Sequence, residues 1–229
     1  MSTTSWIRAG LFTLPVYGLL TAWSSLEPQP DQETNPEAWA QFVSEPSYLV
    51  SHLLGSTGGT ILAIFGVFAL GAYLVAGKTA RLALPAMVTT VLGHALLLVP
   101  AVISTFATPA LGRAYIDGVP GVMDVEFSDA MTFTFLLGLL LAFVGNVLLG
   151  IAVWRSGTLP SWAGALWIAA TIVFYVFGVV TGMATVGATL PTQSIGALLI
   201  AAAGAWIAYS ATRPRPIAIS THQAQPSAL

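Results

Sequence analysis

The chain has 229 residues, of which 56% are hydrophobic and only 7% are charged, whereas an ordinary soluble domain has about 25% charged residues. It contains no cysteine, which excludes disulfides, thiolate metal sites, iron–sulfur clusters and a catalytic thiol. The formal net charge of −2 argues against nucleic acid as a partner, because phosphates call for a basic patch. The single lysine beside six arginines, with abundant Ala and Gly, is typical of a GC-rich bacterial source.

Six apolar segments are long enough to cross a lipid bilayer, which takes about 20 mainly apolar residues. The sequence therefore predicts an all-α integral membrane protein, a single domain over residues 1–212 with six transmembrane helices. We expect these helices at about 9–25, 48–76, 82–106, 130–154, 161–186 and 194–211. The first segment is short and follows Arg8, so a signal peptide is the alternative for it, although no A-x-A-like cleavage site follows.

The first loop, an acidic stretch from Glu27 to Pro46, carries the pattern of a short amphipathic helix. Asn35 is a favourable N-cap and Pro36 suits the first helical position. Trp39, Phe42 and Val43 then fall on one face. We expect this helix to lie at the membrane interface, over the outer end of the bundle.

The charges predict the orientation, because cytoplasmic loops retain Lys and Arg. With six helices and a cytoplasmic N-terminus, the basic residues on the inner side are Arg8, Lys78, Arg81, Arg155, Arg213 and Arg215, and Arg113 alone lies outside. All nine carboxylates then lie outside. This pattern predicts a multi-pass protein of the cell (plasma) membrane, the inner membrane of a bacterium, with both termini in the cytoplasm. Residues 213–229 are polar and contain proline, so we expect a disordered cytoplasmic tail.

His94 is the one ionisable residue expected deep in the membrane. Counted from the turn at Arg81, it lies roughly 19 Å from the inner surface, near the midplane. An ionisable group at that depth suggests contact with a proton, a metal, a haem or a substrate. The structural alternative is a neutral imidazole that hydrogen-bonds a neighbouring helix.

A row of polar residues on the second helix points toward His94. His52, Ser56 and Thr60 are spaced i, i+4, i+8 and share one face of an α-helix. The row predicts a polar path from the outer surface to His94 and on to Thr90, one turn below. The alternative is that the hydroxyl groups bond only to their own helix backbone.

Two residues on later helices are expected at similar depths. Asn146 lies at about 13 Å, near the depth of Thr90, and Tyr175 lies at about 22 Å, near the depth of His94. Tyr175 is therefore predicted to be a partner of His94.

The outer surface carries a second candidate site. Asp124, Glu126 and Asp129 are close in sequence, and Asp129 is expected at the same depth as His52. Such a cluster could bind a divalent metal or gather protons. The alternative is a set of solvated charges, with Asp129 stabilising the N-terminus of the fourth helix.

These patterns leave three functional hypotheses. The first is a protein that binds or conducts a small molecule, an ion or a proton, with an outward-facing polar cavity that ends at His94. The second is a membrane-embedded enzyme or redox protein in which His94 contacts a haem, a quinone or a lipid-like substrate. The third is an accessory or scaffold subunit without a ligand. The sequence names no cofactor; the expected partners are the lipid bilayer and either copies of the chain itself or the subunits of a membrane complex.

Overall fold

The computed structural model describes residues 3–124 and 128–213, and within these ranges the regular structure is entirely helical. The α-helices are α1 (Thr3–Leu11), α2 (Thr13–Ser24), α3 (Pro36–Ser44), α4 (Pro46–Ser51), α5 (Gly59–Val75), α6 (Ala80–Phe106), α7 (Thr108–Ile116), α8 (Asp129–Arg155), α9 (Ser161–Ile172), α10 (Thr181–Val186) and α11 (Thr192–Thr212). Two π-helices, π1 (His52–Gly58) and π2 (Val173–Val180), are inserted between α4 and α5 and between α9 and α10.

Five continuous helices are long and apolar enough to cross a membrane: Pro46–Val75, Ala80–Ile116, Asp129–Arg155, Ser161–Val186 and Thr192–Thr212. They confirm the prediction of an all-helical, multi-pass membrane protein, and four of them begin and end within a few residues of the predicted limits. The second ends at Ile116, beyond the predicted limit at residue 106, because it includes α7. We call the five segments 2 to 6 in chain order, with α6 as segment 3.

The first predicted helix is not continuous. Residues 3–24, here called segment 1, form α1 and α2 with a break at Phe12. Pro15 explains the break, because its ring crowds the carbonyl of Leu11 and it has no N–H to donate. Proline is tolerated in the first turn of the new helix, which begins at Thr13.

The loops before segments 2 and 4 contain short helices that pack on each other. As expected, Asn35 caps α3: its Oδ1 accepts a hydrogen bond from the N–H of Ala38 at 3.3 Å. The stretch 107–129, predicted to be a loop, contains α7. Trp39 and Val43 of α3 are buried in a cluster against Leu111 and Tyr115 of α7.

The six segments form a closed ring in chain order. Each segment packs against the next one, and segment 6 packs against segment 1 through α11 and α2. Segments 1, 3 and 5 are therefore not ring neighbours, and their inward side chains meet only across the interior.

Segments 3 and 4 approach each other most closely at glycines. A Cβ atom on Gly93 would lie 2.2 Å from the backbone nitrogen of Ala142, and one on Gly145 would lie 2.3 Å from Oγ1 of Thr90. These distances leave no room for a side chain. His94, which follows Gly93, is thus held where two helices touch backbone to backbone.

The bundle has one basic end and one acidic end. The basic end carries the start of α1, the end of α11 and two short turns, one between α5 and α6 and the other between α8 and α9. These two turns approach each other where Lys78 lies beside Gly157. The acidic end carries the other loops, and there Asp31 lies beside Gly187. Of the predicted tail, residues 213–229, all but Arg213 lie outside the described residues.

Candidate functional site

Three aromatic side chains from alternate segments meet in the interior of the ring: Tyr17 of α2, His94 of α6 and Tyr175 of π2. All three are buried, with 8%, 3% and 3% of their surface exposed. The rings of Tyr17 and His94 meet edge to face, with centroids 6.0 Å apart. The side chains of Tyr17 and Tyr175 lie close enough to interact with each other. Tyr17 therefore connects His94 with Tyr175.

The hydrogen bond of His94 determines which of its nitrogens carries the proton. Nδ1 lies 2.9 Å from the backbone oxygen of Thr90. A carbonyl oxygen can only accept, so Nδ1 must donate, and in a neutral imidazole Nε2 then carries the lone pair. Nε2 is buried and has no hydrogen-bond partner among the described residues. Leaving such an atom unpaired costs about 1–3 kcal/mol, so Nε2 is the atom of the interior best placed to contact a ligand.

The tyrosine pair completes the interior cluster. Tyr175 packs edge to face on Phe174 and Phe143, with ring centroids 4.9 and 6.2 Å away. It lies on π2, whose wider turn changes the direction of the side chains that follow it. Tyr175 was predicted from the sequence as a partner of His94, whereas Tyr17 was not. The available signal was that Tyr17 lies in the middle of an apolar segment and not at its end, where tyrosine is common in membrane helices.

Two of the hydroxyl groups expected to line a path, those of Thr60 and Thr90, bond to their own helices. Thr60 donates to the backbone oxygen of Ser56 at 2.6 Å, and Thr90 donates to that of Ala86 at 2.7 Å. Each of these two hydroxyl groups already donates its hydrogen bond to a backbone carbonyl of its own segment.

The predicted face of His52, Ser56 and Thr60 is altered by π1. A π-helix has more residues per turn than an α-helix, so an i, i+4 spacing drifts around the axis. Ser56 is half-buried, and the neighbouring Thr57 is the buried hydroxyl. Thr57 bonds to Thr105 across the helix interface, at 2.9 Å between the Oγ1 atoms. Thr57 was therefore a second residue that the spacing argument missed.

His52 belongs to another cluster, at the acidic end. Its Nδ1 lies 3.0 Å from the backbone oxygen of Tyr48, and its ring stacks on the ring of Tyr48 with centroids 3.8 Å apart. The hydroxyl of Tyr48 lies 2.9 Å from Oγ of Ser104. This cluster joins segments 2 and 3 near the buried face of α3.

Asn146 joins segments 4 and 5. Its Nδ2 donates to the backbone oxygen of Ala142 at 2.8 Å, and its Oδ1 accepts a hydrogen bond from Nε1 of Trp167 at 3.2 Å. Both ends of the amide have partners, as expected of a residue that holds two helices together.

The acidic cluster predicted at the outer surface stays a prediction, because Glu126 lies outside the described residues. The other two members, Asp124 and Asp129, are exposed. Within the described residues, 3–124 and 128–213, no three His, Asp or Glu side chains lie close enough to hold a metal ion. Asp129 begins α8, where a negative charge stabilises the helix N-terminus.

Two surface cavities lie elsewhere than at His94. One is lined by apolar residues of α6 between Ala95 and Ile103, and the other by Glu37, Gln41, Tyr115 and Ile116 at the acidic end. The outward-facing cavity expected to end at His94 stays a prediction.

Comparison with protein-family models, curated proteins and solved structures finds no match to this chain.

Proposed function

We propose that this chain is a membrane-embedded protein that binds a small ligand in the interior of its helical ring, through Nε2 of His94 and the hydroxyl groups of Tyr17 and Tyr175. The observation that carries the proposal is the buried, unpaired Nε2. Around it, the other buried polar groups predicted from the sequence, those of Thr90 and Asn146, have partners.

The proposal includes six membrane spans in the plasma membrane. Segment 1 packs on both segments 2 and 6 and closes the ring. Its 3–24 range extends about 33 Å at 1.5 Å per residue, enough to cross the hydrocarbon core of about 30 Å despite the break at Phe12. With six spans, both termini lie at the basic end, which faces the cytoplasm.

The same orientation places α3 and α7 at the outer membrane interface. Their shared apolar cluster contains Trp39 and Val43 and also Tyr48 of α4. Glu37 and Gln41 of α3 line a surface cavity. An amphipathic helix with this division of residues suits the interface between lipid and water.

Binding is favoured over permeation. A path for ions or protons needs polar groups that are free to interact along its length, and the hydroxyls of Thr60 and Thr90 are bonded to their own backbone. His94 and the tyrosine pair instead form one local cluster.

The redox hypothesis depends on the same atom, because Nε2 with Nδ1 bonded to a carbonyl is also how a histidine binds haem iron or a metal. A visible spectrum of the purified protein separates this second candidate from the first. Haem gives a Soret band that the His94→Phe variant lacks, whereas a colourless ligand gives none.

The binding proposal is tested by extracting small molecules from the purified protein and quantifying them by mass spectrometry. His94→Phe keeps a flat ring of similar volume but removes both nitrogens. Thr105→Val is the matched control, since it removes a buried polar group from the same helix outside the site. We expect a molecule that co-purifies with the wild-type protein and with Thr105→Val and is depleted about ten-fold in His94→Phe, the factor for an interaction of about 1.4 kcal/mol. Identical extracts from a folded His94→Phe variant would contradict the proposal.

A further inference from the structure

We infer that the ligand at His94 is a neutral molecule that donates a hydrogen bond from a hydroxyl or amide group. This inference rests on the proposed function and names the chemical class that the site accepts.

The cluster offers one unpaired hydrogen-bond acceptor. Nε2 of His94 is this acceptor, because Nδ1 donates to the backbone oxygen of Thr90. Nε2 is buried and has no partner among the described residues. A hydroxyl or amide group of a ligand, which can donate a hydrogen bond, complements it.

The charged side chains that the structure describes do not belong to the cluster around His94. The described carboxylates are in the loops at the acidic end or at the first turns of helices, as Glu45 and Asp129 are. Segments 1, 3 and 5 contribute only neutral side chains to the cluster. A cation held at the membrane interior without a counter-ion costs several kcal/mol. The site thus discriminates against ammonium groups and metal cations.

Metal coordination at the cluster is also disfavoured. A stable divalent metal site takes at least three protein ligands, and in the described residues no group of three His, Asp or Glu side chains lies around His94. The two tyrosines offer only neutral hydroxyl groups, which are weak ligands for Zn²⁺ until they lose their protons.

The inference is tested with phenol and anisole as probes, which share a ring but differ in that anisole has no donor. Calorimetry on lipid-nanodisc protein measures both affinities, with Zn²⁺ as a third titrant. We expect phenol to bind about ten-fold more tightly than anisole, the factor for one hydrogen bond. His94→Phe abolishes this preference. His94→Gln keeps most of it, because a glutamine Oε1 replaces the acceptor at the position of Nε2.

Each outcome separates the inference from the proposed function. Equal affinities for phenol and anisole, or Zn²⁺ binding that is lost in His94→Phe, overturn the ligand class. If the co-purifying molecule is still lost in His94→Phe, the protein binds a ligand at His94, but the ligand does not belong to the proposed chemical class. If the extracts of the wild-type and His94→Phe proteins are identical and phenol shows no preference, the proposed function fails as well.

Discussion

Two buried polar side chains near the middle of the ring, Thr90 and Asn146, have hydrogen-bond partners for their donor groups. Thr90 donates to its own helix, and Asn146 uses both ends of its amide, one of them across the interface to Trp167. In His94, Nδ1 has a hydrogen-bond partner, whereas Nε2 has none among the described residues. In a membrane, where no water replaces a missing partner, this difference separates a structural residue from a candidate binding residue.

The bond between Asn146 and Trp167 predicts a measurable coupling between segments 4 and 5. Asn146→Leu leaves Nε1 of Trp167 without its acceptor, and Trp167→Phe leaves Oδ1 of Asn146 without its donor. A double-mutant cycle of unfolding free energies should give a coupling of about 0.6 kcal/mol, typical of such bonds in membranes. Additive effects of the two substitutions would show that the bond contributes nothing.

Asp31 gives a pH-dependent prediction outside the helical segments. Its Oδ1 accepts from the backbone N–H and the hydroxyl of Thr34, at 2.7 and 2.8 Å, and from the N–H of Glu33 at 3.1 Å. These bonds, led by that of the Thr34 N–H, hold the pKa of Asp31 below its ordinary value. The loop is thus fully stabilised above about pH 3.9, the usual aspartate pKa, and loses this contribution as the pH falls through the lower folded-state pKa. A carbon-13 titration of the Asp31 carboxyl should show that lower midpoint, and Thr34→Ala should move it upward. A midpoint at the ordinary value would contradict the observed bonding.

At the scale of helices, the pattern of apolar residues predicted where the long helices lie, but it did not predict their local geometry. The five long helices follow from runs of apolar residues bounded by charges or by Pro and Gly. The insertions π1 and π2 leave no trace in composition, because they change the hydrogen-bonding pattern without changing the residues. The break at Phe12 did have a signal, namely Pro15. Helix α7 was missed because it follows α6 after one residue and buries its apolar residues on α3, away from the main core.

The contact between segments 3 and 4 predicts an asymmetry between two glycines. Gly93→Ala introduces a Cβ atom where Ala142 leaves 2.2 Å, so we expect a loss of about 1–3 kcal/mol of stability, as for other overpacked sites. Gly77→Ala is the matched control, because its Cβ would meet its nearest neighbour only at 3.5 Å. Equal stabilities of the two variants in a denaturation series would show that the helices separate easily at this point.

For the whole molecule, the order of the segments in the ring determines which residues meet. His94 was found from the sequence because an ionisable residue is rare at its depth. Tyr17 was not, since its role depends on segment 1 closing the ring beside segment 6, and chain order alone does not give that contact. The expected polar path stays a prediction, and π1 changes the spacing of the residues on the face that carries it.

The six-span topology predicts the accessibility of single cysteines, and the chain supplies a cysteine-free background. Thr4→Cys and Thr158→Cys, both at exposed positions of the basic end, should react with a membrane-impermeant maleimide only in inverted vesicles. Glu33→Cys and Asp117→Cys, at the acidic end, should react in intact cells. Labelling of Thr4→Cys from the same side as Glu33→Cys would instead mean that segment 1 does not cross the membrane.

The protonation of His94 is the most direct test of the central claim that Nε2 faces a ligand. Nitrogen-15 NMR of histidine-labelled protein in lipid nanodiscs, with the His94 resonances assigned by their loss in His94→Phe, reports each ring nitrogen separately. We expect the imidazole of His94 to be neutral, with a proton on Nδ1 and none on Nε2. A proton on Nε2, whether in the other tautomer or in an imidazolium, would contradict the account, because no acceptor atom would remain for the ligand.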